Sequence, residues 1–338
     1  MSVESLQAFV DQHIMGRPGV DDCGREKVLF LALVHGNLDV DAAAEFCDAG
    51  ARCFGVTPAV DADGGGRAVT CSSWRPDERV ICLRRGGLML YSALAINPDE
   101  LNSATEYYFQ CEPDTASESS RGPGRELVNL PKRCATMDLL GRLFSEPAFD
   151  VLRTKEQLGY SVSAGVRRTC GVLGVCFVVV SSKKSPAGVI ERIEAFLKTW
   201  RDKLVFEQPF EQFRESLIAA KQSKDTTLCA ETARHWSVLA EGRTHFNRAK
   251  EEAEALEGIK IEDCLEVFDR MIAKGAPERA LLVSCVYGSA HRKLLKKETV
   301  AAVAKAKKEL GVDAVEFVED LETWRQNSRG RACYPSTV

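Results

Sequence analysis

The stretch Leu152-Arg-Thr-Lys-Glu-Gln-Leu-Gly-Tyr160, with the apolar run Val172 to Val180 behind it, decides how the chain reads. Proline is favoured in the first turn of a helix and glycine just past its end. Pro147 and Gly159 stand at those two places, so the spacing predicts a short amphipathic helix over Glu146 to Leu158 that delivers Tyr160 to the start of a β-hairpin. Arg153 and Tyr160 then sit at opposite ends of one small rigid unit. A guanidinium and a phenol held in this way suit gripping a peptide carbonyl or a carboxylate. The same residues also describe a surface arginine and a strand-edge tyrosine with no ligand.

Toward the C-terminus, Tyr160 to Ala164 and Val172 to Ser181 flank Arg167-Arg-Thr-Cys-Gly171 and read as a hairpin. Helical stripes follow: Val189, Ile193, Phe196 and Trp200; then Phe210, Phe213 and Leu217; then Cys229, Ala233, Trp236 and Leu239; then Cys264, Leu265, Phe268 and Ile272. Leu281 to Tyr287 is a closing strand. Toward the N-terminus, Ala135 to Phe144 is a separate helix ended by Pro147. Before it, Arg79 to Leu83, Leu88 to Leu94 and Thr105 to Gln110 are strands, the first two joined as a hairpin across Arg84-Arg-Gly-Gly87. Thr115 to Pro131 is an exposed inserted loop. Hairpins, then helices, then a strand describe an α+β fold, with helices packed on one face of a largely antiparallel sheet.

The first residues read differently. Val3 to Ile14 and Asp39 to Phe54 are helical, Asp39 serving as a cap, and Val28 to Val34 is a buried strand. One strand and two helices cannot enclose a core, so residues 1–66 are expected to be the C-terminal remnant of another α/β domain, ending in the Gly64-Gly65-Gly66 linker. Residues 67–292 form the α+β domain, with the insertion at about 115–131. Residues 293–338 are a basic helical tail, with helices at Val300 to Leu310 and Phe317 to Trp324. The final Ser336-Thr-Val338 has the form of a carboxylate ligand for a PDZ-type domain, a three-residue match at a chain end.

At 338 residues and 45% hydrophobic content, the chain is long enough for a sizeable core. Its net charge of -4, from 45 basic and 49 acidic residues, gives no electrostatic argument for nucleic acid or an anionic membrane. The 13 cysteines are scattered without a C-x-x-C pair, and no apolar leader opens the chain; both fit reduced thiols in the cytoplasm. None of the five histidines belongs to an H-E-x-x-H or H-x-x-E-H helix. His35 is expected to satisfy backbone groups at the end of the strand before it, and His235, beside Trp236, to be a polar core or surface residue. The chain carries no G-x-S-x-G elbow, no P-loop and no G-x-G-x-x-G after a strand. Composition and spacing supply no self-sufficient catalytic centre.

With Ser145-Glu-Pro147 before it, and Gly165-Val-Arg-Arg168 and Ser181 after it, the opening stretch closely resembles the C-terminal half of the insulysin (insulin-degrading enzyme) group of the pitrilysin, or inverzincin, metallopeptidase family. Other blocks agree in order: Ala32-Leu-Val-His-Gly-Asn37, Glu106-Tyr-Tyr108, Thr115-Ala-Ser-Glu118, Ile193-Glu-Ala-Phe-Leu197, Ala230-Glu-Thr-Ala-Arg-His-Trp236 and Ala276-Pro-Glu-Arg279. The likeness fades in the tail.

In that family four homologous α+β domains form two bowl-shaped halves around a peptide-degrading chamber. Zinc, its H-x-x-E-H helix and a distant glutamate belong to the first domain. The resemblance implies that residues 1–66 end the third domain and 67–292 are the fourth. This chain would then hold no metal and no cofactor, the zinc being expected in a missing N-terminal half joined in cis or in trans. It implies that Arg153 and Tyr160 bind the substrate backbone beside the scissile bond, the tyrosine hydroxyl donating toward the carbonyl oxygen. The partners implied are peptide substrates and the zinc-bearing half; a homo-oligomer is also compatible. Two other readings stand beside it: a non-catalytic peptide-binding or scaffold subunit, and a thiol enzyme built on the cysteines.

Overall fold

The computed structural model describes residues 32–53, 80–113, 130–169, 171–207, 209–240, 246–328 and 333–334. The elements run α1 (Val40–Cys53), β1 (Val80–Ile81), β2 (Gly87–Leu94), β3 (Ser103–Pro113), α2 (Leu130–Ala148), a π-helical turn (Phe149–Lys155), β4 (Ser161–Thr169) and β5 (Val172–Ser181). There follow α3 (Pro186–Glu207), α4 (Phe210–Gln222), α5 (Leu228–Ala240), α6 (Arg248–Glu257), α7 (Ile261–Met271), β6 (Ala280–Tyr287), α8 (Leu295–Leu310), β7 (Val315–Val318), α9 (Leu321–Asn327) and β8 (Cys333–Tyr334). The chain divides into two compact units. One takes in residues 1–77 and 224–246, with α1 and α5; the other takes in 78–223 and 247–337, with every strand and the remaining helices.

The second unit is built on a six-stranded mixed sheet of order β4-β5-β3-β6-β2-β7. The β4–β5, β5–β3 and β3–β6 pairings are antiparallel, and β6–β2 and β2–β7 are parallel. Alternate residues of a strand face opposite sides. On one side Tyr107 and Phe109 of β3 lie opposite Phe177 and Val175 of β5, and all four are buried. The helices complete this core with Leu140, Leu143 and Phe144 of α2, Ile193 and Trp200 of α3, Leu256 of α6 and Phe268 of α7. The α+β fold with a largely antiparallel sheet is the one read from the sequence.

Several local expectations change. The two helices expected on either side of Pro147 are one: α2 runs through Pro147 and passes directly into the π-helical turn. Proline inside a helix leaves the carbonyl four residues earlier without its donor. That carbonyl belongs to Leu143, and the indole nitrogen of Trp200 donates to it at 3.1 Å while its ring stacks on Phe144 at 4.0 Å. The break expected at Pro147 is therefore repaired from α3.

The hairpin across Arg84–Gly87 does not form. The turn is there, with Gly87 N donating to Arg84 O at 3.0 Å, but β2 pairs with β6 and β7, whereas β1 pairs with β8. The Gln110 amide takes the place of a partner strand, accepting from Leu83 N at 2.8 Å and donating to Ile81 O at 3.0 Å. In the tail, α8 covers the helix expected at Val300 to Leu310, but Phe317 and Val318 are in β7, and the following helix begins at Leu321. Residues 315–318 add a strand to the sheet, which places this part of the tail within the second unit. Of the strand expected at Val28 to Val34, residues 32–34 are irregular and the rest lies outside the described residues. The helix at Val3 to Ile14, the glycine linker and nearly all of the 115–131 insertion also lie outside them.

A charged cluster ties helices to the edge strand. Lys221 of α4 donates to Asp138 of α2 and to Glu252 of α6, each at 2.6 Å; Arg168 of β4 meets both oxygens of Asp138 at 2.9 Å; Arg248 reaches Glu252 at 2.7 Å. Burial alone would lower the Lys221 ammonium, but the carboxylates of Asp138 and Glu252 outweigh it and hold it above its ordinary value.

Candidate functional site

The segment from the π-helical turn to β4 is over-determined by its backbone. Glu156 N donates to Val151 O at 2.9 Å and Leu158 N to Leu152 O at 3.0 Å, wider closures than the i→i+4 bond of an α-helix. Such wide turns are uncommon, and they concentrate at functional sites. Gln157 adopts a positive φ of 50°, unusual for a residue with a side chain. Gly159 then passes so close to β5 that a Cβ there would lie 1.9 Å from Val180 O. Glycine is the residue that permits this approach.

Side chains fix the same turn from outside. Arg192 of α3 grips both oxygens of Glu156, at 2.7 and 2.6 Å. The Ser181 hydroxyl donates to Leu158 O and accepts from Lys183 N at 3.1 Å and Lys184 N at 3.0 Å. Leu152 and Leu158 are buried, anchoring the turn in the core.

The structure brings Arg153 and Tyr160 together at the lip of this turn. Arg153 Nε donates to Tyr160 O at 3.0 Å, and its guanidinium lies 4.9 Å from the centre of the Phe149 ring and 5.7 Å from that of Tyr160. The Tyr160 side chain is 89% exposed, so its hydroxyl points away from the protein core. One arginine thus holds both the backbone and the ring of an exposed tyrosine. Glu156 and Ser181 belong to the blocks quoted from the sequence, but their grip on the turn, and the parts played by Phe149 and Arg192, were not legible there, because the π-helical turn that assembles them has no sequence signature.

Elsewhere the ordered blocks of the sequence converge in pairs and triplets. Tyr107, Glu194 and Arg279 come from three of them and form one network, with the tyrosine hydroxyl donating to Glu194 and Arg279 meeting both. Burial first, and then the Glu194 carboxylate, push the Tyr107 phenol well above its ordinary value despite Arg279, so it is a structural donor. His35 and His235, expected to serve separate structural roles, instead lie with ring centres 5.5 Å apart beside Glu231. Burial raises the Cys264 and Cys285 thiols to about 12 and Cys176 to about 11, which leaves them protonated at neutral pH and poor nucleophiles.

Residues 139–236, which include Arg153 and Tyr160, match the family model described as PQQ synthase PqqF-like, C-terminal lobe domain 4. Its homologues are insulin-degrading enzyme and nardilysin-like M16 peptidases. A nardilysin-like protein of Arabidopsis thaliana is 30% identical over 290 residues, 85% of this chain and 25% of that protein. The human insulin-degrading enzyme is 31% identical over 180 residues, 53% of this chain and 16% of the enzyme. The crystal structure of pitrilysin superposes with a TM-score of 0.62 at 17% identity, covering 89% of this chain and 27% of that one, which shows a shared fold. The chain therefore spans about a quarter or less of the length of these M16 relatives. No helix among the described residues is long and apolar enough to cross a membrane.

Proposed function

We propose that this chain is the substrate-binding C-terminal half, without the catalytic zinc, of an insulysin-like zinc metalloendopeptidase that degrades peptides in an enclosed chamber, and that proteolysis requires an N-terminal half bearing that metal. The observation that carries this reading is the Tyr160 phenol, 89% exposed on a turn held by Arg153, Ser181 and Arg192. A donor fixed before substrate arrives costs little reorganisation when a carbonyl oxygen gains negative charge. Arg153 positions that donor, and its guanidinium adds positive charge to the same lip.

The second unit itself does not fit the peptidase metal. The full sequence has no H-x-x-E-H, and among its described residues the second unit holds no cluster of three His, Cys, Asp or Glu side chains able to take an ion. Asp138, one of the two acidic residues on α2, is already neutralised by Lys221 and Arg168. On this reading the zinc and the water it activates come from the other half, and this chain binds and orients the peptide. The buried thiols of Cys264 and Cys285, neither in a disulfide, fit a reducing compartment, and the cytoplasm is the expected one.

The test is Tyr160→Phe in the complex reconstituted with a zinc-bearing half. Removing one such donor should lower kcat by about 100-fold with KM little changed. Unchanged kcat would remove Tyr160 from the reaction. It would favour the alternative, a non-catalytic peptide-binding or scaffold subunit.

A further inference from the structure

The first unit contains a second chemical constellation that the peptidase reading does not use. His35 lies just before α1, and Glu231 and His235 lie one helical turn apart on α5, so both project from the same helix face. One ligand atom from each of the three lies within 4.8 Å of the others. All three residues are partly buried.

The hydrogen bonds around them fix a proton. Thr232 Oγ1 has one hydrogen, which it donates to Leu228 O at 2.8 Å. Its contact with His35 Nδ1, also 2.8 Å, must therefore have the ring nitrogen as donor. With the proton on Nδ1, the lone pair of the neutral ring is on Nε2. That nitrogen faces Glu231 Oε2 at 3.7 Å, and His235 Nε2 faces Glu231 Oε1 at 3.8 Å, both too far for a hydrogen bond. The His35 lone pair and the His235 Nε2 atom thus face one carboxylate with a gap between them. The neighbouring cation, Arg234, reaches Glu231 only at 3.8 Å and is held by Asp225 at 2.7 Å.

We propose that His35, Glu231 and His235 bind a divalent cation of the zinc class. Two imidazoles and one carboxylate suit Zn²⁺, whereas Mg²⁺ and Ca²⁺ prefer oxygen ligands alone. The centre of a triangle with 4.8 Å edges is about 2.8 Å from each corner, and zinc–nitrogen and zinc–oxygen bonds are roughly 2.0–2.2 Å. An inward shift of about 0.8 Å per ligand at most therefore closes the site, well within side-chain torsion. Thr232 supplies what a ligating histidine needs on its far nitrogen, a hydrogen-bond partner that fixes tautomer and ring orientation. The edge of Phe246 against His235, with centroids 5.3 Å apart, restrains the second ring. The ion joins segments almost 200 residues apart in sequence (|i−j| is 197 for the His35–Thr232 pair), so its role is to clip the two segments of this unit together.

The experiment uses the reduced full chain, stripped of metal with a chelator and titrated with Zn²⁺, and separately with Co²⁺ as a spectroscopic probe. The expected result is one ion bound per chain, a thermal midpoint that rises with Zn²⁺ but not with Mg²⁺, and a Co²⁺ spectrum without a sulfur-to-metal charge-transfer band. His35→Ala and His235→Ala should each weaken binding by at least about tenfold. If either variant fails to fold, the wild-type Co²⁺ spectrum decides alone. A thiolate charge-transfer band, binding unchanged in well-folded variants, or no saturable binding would overturn the site.

Discussion

Tyr160 separates two roles that one aromatic residue often combines. Its ring is held by the Arg153 guanidinium and its backbone carbonyl by Arg153 Nε, while its hydroxyl is exposed. Lysine in place of Arg153 keeps the charge but loses the planar fork that makes both contacts at once. Arg153→Lys should therefore lower kcat of the reconstituted enzyme by about tenfold or more while leaving its thermal midpoint nearly unchanged, measured side by side on the same preparation. The cysteines give a complementary expectation. With thiols raised to about 12 by burial, Cys264 and Cys285 should resist alkylation at neutral pH until the chain unfolds. Labelling of either in the folded chain, followed by mass spectrometry, would contradict their placement in the core. Arg153 and Tyr160 were singled out from the sequence, by their chemistry and then by the family resemblance. Their mutual hold was not legible there, because it depends on a backbone turn rather than on a helical repeat.

The element that makes this hold possible is the π-helical turn between α2 and β4. Reading Pro147 as a helix start was reasonable from local preference, yet the helix continues through it because Trp200, 53 positions later in the sequence, donates to the orphaned Leu143 carbonyl. Trp200→Phe keeps the stacking on Phe144 and removes only the donor. It should cost about 1–3 kcal/mol in denaturant unfolding, the price of a buried carbonyl left unpaired. At the other end of the turn, Gly159→Ala sets a methyl group against Val180 O. The expected cost is on the order of 2–3 kcal/mol, with loss of activity in the complex exceeding that of an equally destabilised core variant, because Tyr160 moves with the turn. The β4–β5 hairpin was legible from its apolar run and turn residues. The apparent hairpin at Arg84–Gly87 misled because Gln110 satisfies the backbone there, and side-chain mimicry of a strand leaves no periodic pattern to read.

On the scale of the whole molecule, the second unit holds its helices to its sheet through both an aromatic core and the Asp138–Lys221–Glu252 cluster. Lys221→Met would remove the cation shared by two largely buried carboxylates, leaving Arg168 on Asp138 and Arg248 on Glu252, and should cost about 1–3 kcal/mol. Because the Lys221 value is raised on folding, its contribution is fully present below the ordinary lysine range and is lost only as pH rises through the raised value. On the Lys221 side, then, the difference between wild type and variant should be constant from neutral to mildly alkaline pH. The α+β layering of this unit was visible in the order of strand and helix patterns. The strand β7 was not, since Val315–Val318 is short and sits in a lysine-rich tail that reads as helix. The meeting of His35 with Glu231 and His235 was equally hidden, because nothing local relates positions so far apart.

The measurement closest to the central claim is peptide hydrolysis by the purified chain alone and after mixing with an M16 half that carries H-x-x-E-H. The account predicts no zinc-dependent cleavage by either component alone, chelator-sensitive cleavage by the mixture, and a mixture made with Tyr160→Phe that binds peptide normally but turns it over about 100-fold more slowly. Zinc-dependent cleavage by this chain alone, or a mixture whose turnover is indifferent to Tyr160, would contradict it.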